Sequence, residues 1–338
     1  MRGGRLVGLG VVLGAALGCA RPAGANDSTA GLANGGLVLT KNADIEMQSE
    51  TLYISDKQVR VRYSFLNTSP KAITVTVAFP LPDVTTNGFD DNIAIPVESG
   101  SNFLGFKTVV NGTPVASHVE QKAIKNGVDE TAALKTLGVG PSQLDPATAA
   151  AINRLPKAAL DRLVKLGLVV DTGSGNTSSE FQPTWTLKTT YYWNQTFPAG
   201  KPLTVAHTYT PSVGSRIGSS LASAAGVTDP AVLAALAATR KKYCVDDDLY
   251  STVATLTKNS DNALHDEYID YVLTTGANWK SPIGDFTMTV DKGSATNLVS
   301  FCGTGVRKTG ATTFQVHYTK FTPTTDVNVL IVSRNAPK

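Results

Sequence analysis

Residues 58–65, Gln-Val-Arg-Val-Arg-Tyr-Ser-Phe, alternate without a break: Val59, Val61, Tyr63 and Phe65 fall on one side, Arg60, Arg62 and Ser64 on the other. Side chains on an extended strand point to opposite faces in turn, so this run predicts a strand with one buried and one wet face. After the turn-forming Asn67-Thr68-Ser69-Pro70 a second run sets Ile73, Val75, Val77 and Phe79 against Thr74, Thr76 and Ala78. Together they predict a β-hairpin, ended by Pro80 and Pro82, which have no N–H to give a ladder. Strands are also expected at 103–110 and 114–119 about the turn Asn111-Gly112. Trp185, Leu187, Thr189, Tyr191 and Trp193 share one face of a further strand, and Leu203, Val205, His207 and Tyr209 share one face of the next, with Pro198-Ala199-Gly200 between. Later strands are expected near 249–256, 268–275, 283–290, 297–302, 312–318 and 326–332. The fold class is mainly β, an antiparallel β-sandwich or sandwiches with a helical insertion and one further helix.

The insertion is placed at about 120–180, where Ala, Leu and Lys replace alternation. Asp129 caps a short helix that Gly138 stops, Asp145-Pro146 opens a second, and Pro156 opens a third ending near Gly167. Leu160, Leu163, Val164 and Leu166 give the third an apolar stripe, and residues 171–179 are a polar connector. Asp229-Pro230 opens the further helix, running to Arg240. The expected organisation is a β-sandwich domain over 26–215, interrupted by the insertion, and a C-terminal β-rich domain over 216–338 with one helix.

Arg2 and Arg5 precede an uncharged stretch from Leu6 to Ala20, and Ala23-Gly24-Ala25 follows. A charged start, an apolar centre and an Ala-x-Ala ending predict a signal peptide over 1–25, cut before Asn26. Its roughly 15 apolar residues fall short of the ~20 that span a bilayer. The competing reading is a lipoprotein signal ending at Leu17-Gly18-Cys19, with Ala16 where a larger aliphatic is usual. Arg2, Arg5 and Arg21 account for the whole formal charge of +3. The mature chain is therefore formally neutral, which gives no support for a nucleic-acid partner. Of three cysteines, Cys244 and Cys302 remain after cleavage. Two cysteines in an oxidising compartment predict one disulfide. No later stretch reaches 18 apolar residues, so no transmembrane segment is expected in the mature chain.

The residues name no reaction. No Gly-x-Ser-x-Gly elbow, no phosphate-binding Gly-Lys-Ser/Thr loop and no dinucleotide fingerprint is present, and Gly303-Thr-Gly305 is too short to count. His118, His207, His265 and His317 form no i, i+4 pair, Asp246-Asp247-Asp248 and Asp90-Asp91 lack metal-loop spacing, and His265-Asp266-Glu267, which could hold a metal, reads as a solvated loop before the Tyr268 strand. Accordingly no catalytic, cofactor-binding or metal-binding residue is assigned and no cofactor is expected. His207 reads as a hydrogen-bonded core side chain. Tyr192 points away from its apolar neighbours and, with His207, is the candidate ligand surface. Arg240-Lys241-Lys242 suits a helix C-terminus.

Asn26-Asp-Ser-Thr-Ala-Gly-Leu-Ala-Asn-Gly-Gly-Leu37 with Lys41-Asn-Ala-Asp-Ile-Glu-Met47 resembles the start of an exported bacterial family, domain of unknown function 4424. Val75–Asp83, Phe197–Gly200, Val205–Val213, Asn278–Ile283 and Ser300–Cys302 resemble it too. The resemblance spans the mature chain and implies export. Tyr63–Asn67, Phe79–Pro82, the 103–119 segment and Glu120–Ala123 are similar to the vault and inter-alpha-trypsin β-sandwich domain, which implies one sandwich over 26–215. The expected function is a non-enzymatic periplasmic or extracellular protein that binds an envelope partner or ligand. The alternatives are an envelope hydrolase using His207 with a carboxylate such as Asp83, and a lipoprotein scaffold anchored at Cys19.

Overall fold

A computed structural model describes residues 26–33, 36–86, 93–94, 96–97, 100–173, 180–222, 227–258 and 264–334. The leader, Cys19, Asp90-Asp91 and most of the 171–179 connector lie outside the described residues. Most of the chain forms three sheets around one core. The largest has eight strands in the order Arg307–Lys308, Thr313–Phe321, Ile283–Asp291, Ile45–Ile54, Val59–Asn67, Pro202–Tyr209, Lys107–Val110 and Thr113–Val115. The second runs Val128–Asp129, His118–Lys125, Thr186–Phe197, Ile73–Pro80, Ser28–Ala33 and Gly36–Thr40, with Val84–Thr85 beside Thr186–Phe197. The third is Gly214–Ile217, His265–Tyr271, Val327–Ser333 and Leu298–Phe301. Neighbours are antiparallel except Ile45–Ile54 with Ile283–Asp291, which are parallel. Strands from both sides of position 215 thus share the large sheet.

The alternation read from 58–65 is buried and exposed as expected, with Val59, Val61, Tyr63 and Phe65 all inside. The predicted hairpin with 73–80 does not form. Val59–Asn67 lies between Ile45–Ile54 and Pro202–Tyr209, whereas Ile73–Pro80 lies in the opposite sheet. The connection is an arch across the core, because the two apolar faces meet each other instead of lying side by side. Asn67 holds the corner: its amide donates to Lys71 O at 2.8 Å and Phe197 O at 2.9 Å, and its own carbonyl accepts from Gly200 N. The true hairpin is Lys107–Val110 with Thr113–Val115, where Asn111 and Gly112 both take positive φ, 48° and 83°. The expected strand at 103–110 begins only at Lys107, and Phe103, Leu104 and Phe106 are buried from a loop.

Inside the core, rings from different sheets interdigitate: Phe79 lies 5.0 Å from Phe106, 5.9 Å from Tyr209 and 6.2 Å from Tyr271. At about 25 cal/mol per Å² such aromatic burial is the main favourable term. The strand Thr186–Phe197 contributes Leu187, Tyr191, Trp193 and Phe197. Trp185, expected on the same face, instead enters a separate small core under the insertion, where its Nε1 donates to Pro141 O at 2.7 Å.

The insertion starts later than expected, since 118–125 is a strand of the second sheet. Its helices are Thr131–Thr136, Pro146–Ile152 and Lys157–Lys165, followed by a ribbon of Val169–Asp171 with Phe181–Pro183. Asp145 caps the second by accepting from Ala147 N. On the third, Leu163 is buried and Leu160 partly so, but Val164 and Leu166 remain 45% exposed, because one line of contact suffices for so short a helix. In the C-terminal part the expected strand at 249–256 is a helix, Asp247–Lys258, so that region has two helices and not one. Asp246 accepts from Leu249 N at 2.7 Å, Asp247 and Asp248 sit in the first turn, and Leu249, Val253 and Leu256, at i, i+4, i+7, face a further small core with Leu221, Tyr243, Leu330 and Val332. The strand expected at 268–275 runs His265–Tyr271, and Thr274–Asn278 is a 3-10 turn. Helix Pro230–Tyr243 ends at Cys244 in the left-handed region, and the Cys244–Cys302 disulfide ties that end to the third sheet. No helix among the described residues is long and apolar enough to cross a membrane.

Candidate functional site

His207 is buried, as its strand predicts. Its Nε2 lies 3.0 Å from Asp27 Oδ1 and its Nδ1 3.1 Å from Thr108 Oγ1, which lies 2.8 Å from Ser117 Oγ. Every hydroxyl finds a partner if Nε2 donates to Asp27 and Nδ1 accepts from Thr108. The ring is caged by Phe106, stacked at 4.9 Å, with Phe79 at 5.0 Å and Trp193 at 5.1 Å. Asp83, the carboxylate offered in the hydrolase alternative, is elsewhere and pairs with Lys188 at 2.8 Å. The real partner is 180 residues away in sequence. Thr108 and Ser117 reach a groove of about 590 Å³ that His118 also lines, but the His207 and Asp27 side chains have no exposed surface.

A second buried acid adjoins them. Strand Ile45–Ile54 carries a bulge at Met47/Ser49, which turns Glu50 inward with Leu52 and Ile54. Glu50 Oε2 accepts from Asn26 Nδ2 at 2.9 Å, while Glu50 Oε1 and Asp27 Oδ2 have no hydrogen-bond partner. Burial pushes Glu50 up to about 8 against the Asn26 hydrogen bond, and the nearby Asp27 charge adds to the rise. Burial likewise raises Asp27, with His207 pulling against it. Tyr63 and Tyr271, whose hydroxyls meet at 3.2 Å, are held well above their ordinary range by the same desolvation.

Tyr192 and His207 are not brought together. Tyr192 is on the outer face of its strand, its ring 5.3 Å from His118, whereas Trp193 on the inner face meets His207. Asp266 of the His265-Asp266-Glu267 run is taken up by Ser220 N, Ser220 Oγ and Tyr268 OH. Among the described residues no group of three or more His, Cys, Asp or Glu could hold a metal ion.

A second cleft was not visible in any sequence motif. It opens where the three sheets meet and has a volume of about 290 Å³. Leu81 from the Pro-Leu-Pro corner, Phe103, Leu104, Tyr209 and Tyr243 make its apolar wall. Lys242 and Asp270 pair across one side at 2.9 Å. Asp270 and Ser212 line the same cleft, and Asp270 Oδ1 and Ser212 Oγ have no hydrogen-bond partner among the described residues. An apolar wall with unpaired acceptors suits a compact ligand bearing a donor. These residues come from five separate stretches of chain, and only the break in alternation at Pro80-Leu81-Pro82 marks one of them.

A family model described as domain of unknown function DUF4424 matches residues 25–330. No curated protein matches the chain. Among solved structures, the chain is similar to a "putative nutrient binding protein" from Legionella pneumophila subsp. pneumophila str. Philadelphia 1, at 16% identity and a TM-score of 0.46, over 91% of this chain and 70% of that one.

Proposed function

The chain belongs to the DUF4424 family, and we propose that it is an exported, non-enzymatic envelope protein that holds a compact aryl or alkyl amine in the cleft between its three sheets. Export is supported by the leader pattern ending at Ala25 and by the Cys244–Cys302 disulfide, a bond that persists in oxidising compartments. The observation that carries ligand binding is Asp270: its carboxylate lines the cleft beside the apolar wall, with one oxygen paired to Lys242 and the other, Oδ1, without a hydrogen-bond partner among the described residues. A buried acceptor left without a donor costs ~1–3 kcal/mol, and a ligand N–H recovers that cost. The test is thermal unfolding of the exported protein with tyramine or phenethylamine, against phenethyl alcohol as the neutral control. The amines raise Tm and the alcohol does so less, and Asp270→Asn removes the difference. Equal responses to amine and alcohol, or none to either, would sink the reading.

A hydrolase reading draws on the Asp27–His207–Thr108–Ser117 chain. It is weaker, because the base and its acid are both sealed from solvent, and a substrate could meet them only through Thr108.

A further inference from the structure

We propose that hydrolysis of the Ala25–Asn26 peptide bond places the new α-ammonium of Asn26 in the core, as the counter-ion of the Asp27 and Glu50 carboxylates. Water supplies the atoms: Ala25 leaves as a carboxylate, and the Asn26 nitrogen gains the protons of an ammonium. The inference rests on the export reading above, and extends it by giving the processed end a structural role.

Asn26 is not a fraying terminus. It has no exposed surface, its backbone N donates to Thr275 Oγ1 at 2.7 Å, and Thr275 Oγ1 returns a hydrogen bond to Asn26 O at 2.5 Å. Trp279 Nε1 holds Asp27 O at 2.7 Å and Asn278 Nδ2 holds Ser28 Oγ at 3.0 Å. The 3-10 turn Thr274–Asn278 therefore clamps the first residues of the mature chain from about 250 positions away. That turn is shaped for the approach: a Cβ on Gly276 would fall 2.5 Å from Asn26 Nδ2.

The charges beside Asn26 do not balance. Two carboxylates are enclosed, His207 addresses one oxygen of Asp27, and the Asn26 amide addresses one oxygen of Glu50. The other oxygen of each is orphaned among the described residues, and no described lysine or arginine bonds either group. A peptide nitrogen offers one hydrogen, already spent on Thr275, whereas an ammonium offers three and a positive charge. Buried carboxylates without such compensation are costly, so the site gains most from the one change that processing makes.

The experiment uses the full gene, leader included, expressed for export, beside a form with Gly-Ser inserted between Ala25 and Asn26. Intact mass identifies each N-terminus, and acetylation by an N-hydroxysuccinimide ester at neutral pH, mapped by mass spectrometry, reads amine accessibility. The native protein begins at Asn26, and its α-amine reacts at least about tenfold slower folded than in urea. The inserted form reacts at the urea rate and loses a few degrees of Tm. Glu50→Gln narrows that Tm gap. A chain that begins at Asn26 yet reacts at the urea rate, or equal Tm for both forms, overturns the inference and leaves export standing. A mass that retains the leader overturns the export reading and this inference with it, whereas a lipid-bearing Cys19 overturns this inference and leaves export standing.

Discussion

Glu50 is enclosed with its second oxygen unpaired, and with the Asn26 nitrogen in peptide linkage its pKa is pushed from 4.5 up to about 8. A carboxyl whose pKa is higher folded than unfolded binds more protons in the native state, so stability falls as pH rises between the two values. Asp27 shifts in the same direction. The Gly-Ser-extended form should therefore lose on the order of a few kcal/mol between about pH 5 and pH 8, read from urea midpoints across that window. Glu50→Gln in that background should flatten most of the fall; an unchanged slope would mean that Glu50 is not the group responsible. His207→Gln addresses the neighbouring pair. It removes a ring from an aromatic cage and replaces the imidazole facing Asp27 with a flexible amide, so we expect a loss of ~3 kcal/mol in urea unfolding. A variant as stable as the parent but lacking a hydrolytic activity would favour the hydrolase reading instead. The burial of His207 was legible because Leu203, Val205 and Tyr209 share its parity. Asp27 was not, since nothing local connects two residues 180 positions apart. Glu50 left a trace: counting back by twos from Ile54 puts it inside, while counting forward from Ile45 and Met47 puts Ser49 there. That clash of phase is what a bulge looks like in a sequence.

At the scale of elements, alternation identifies a strand but not its neighbours. An arch and a hairpin have the same inward residues, because both turn one apolar face toward the core. What separated them was the turn: Asn111-Gly112 supplies two positive φ angles for a tight reversal, whereas the five residues 68–72 span the gap between sheets under the control of Asn67. The misread segment 247–258 follows the same logic. Val253, Ala254, Leu256 and their threonines satisfy a loose strand pattern, but Asp246, Asp247 and Asp248 together make a helix start. Cap and charge at an N-terminus outweigh β propensity, which mostly reflects packing against neighbours that this segment lacks. Periodicity reports a face; end chemistry and partners decide what the face is for.

On the scale of the whole molecule, the parallel pairing of Ile45–Ile54 with Ile283–Asp291 sets how the chain can unfold. It inserts a late strand beside an early one at the centre of the largest sheet, and the third sheet closes the same core through Tyr271, Val329 and Ile331. No local pattern announces a parallel neighbour some 240 residues away, which is why a boundary near 215 looked natural. Gly284 offers a test of this joint. A Cβ there would lie 2.5 Å from the carbonyl oxygen of Gln48, backbone against backbone at the bulge. Gly284→Ala must then push the two strands apart, at a cost of about 1–3 kcal/mol typical of overpacking. If the halves unfold as one unit, that cost lowers hydrogen-exchange protection equally in Val59–Asn67, far from the substitution, and in Val327–Ser333, with a single unfolding transition at a lower midpoint. Loss confined to residues beyond 215, or a transition split in two, would mean that the shared sheet does not couple them.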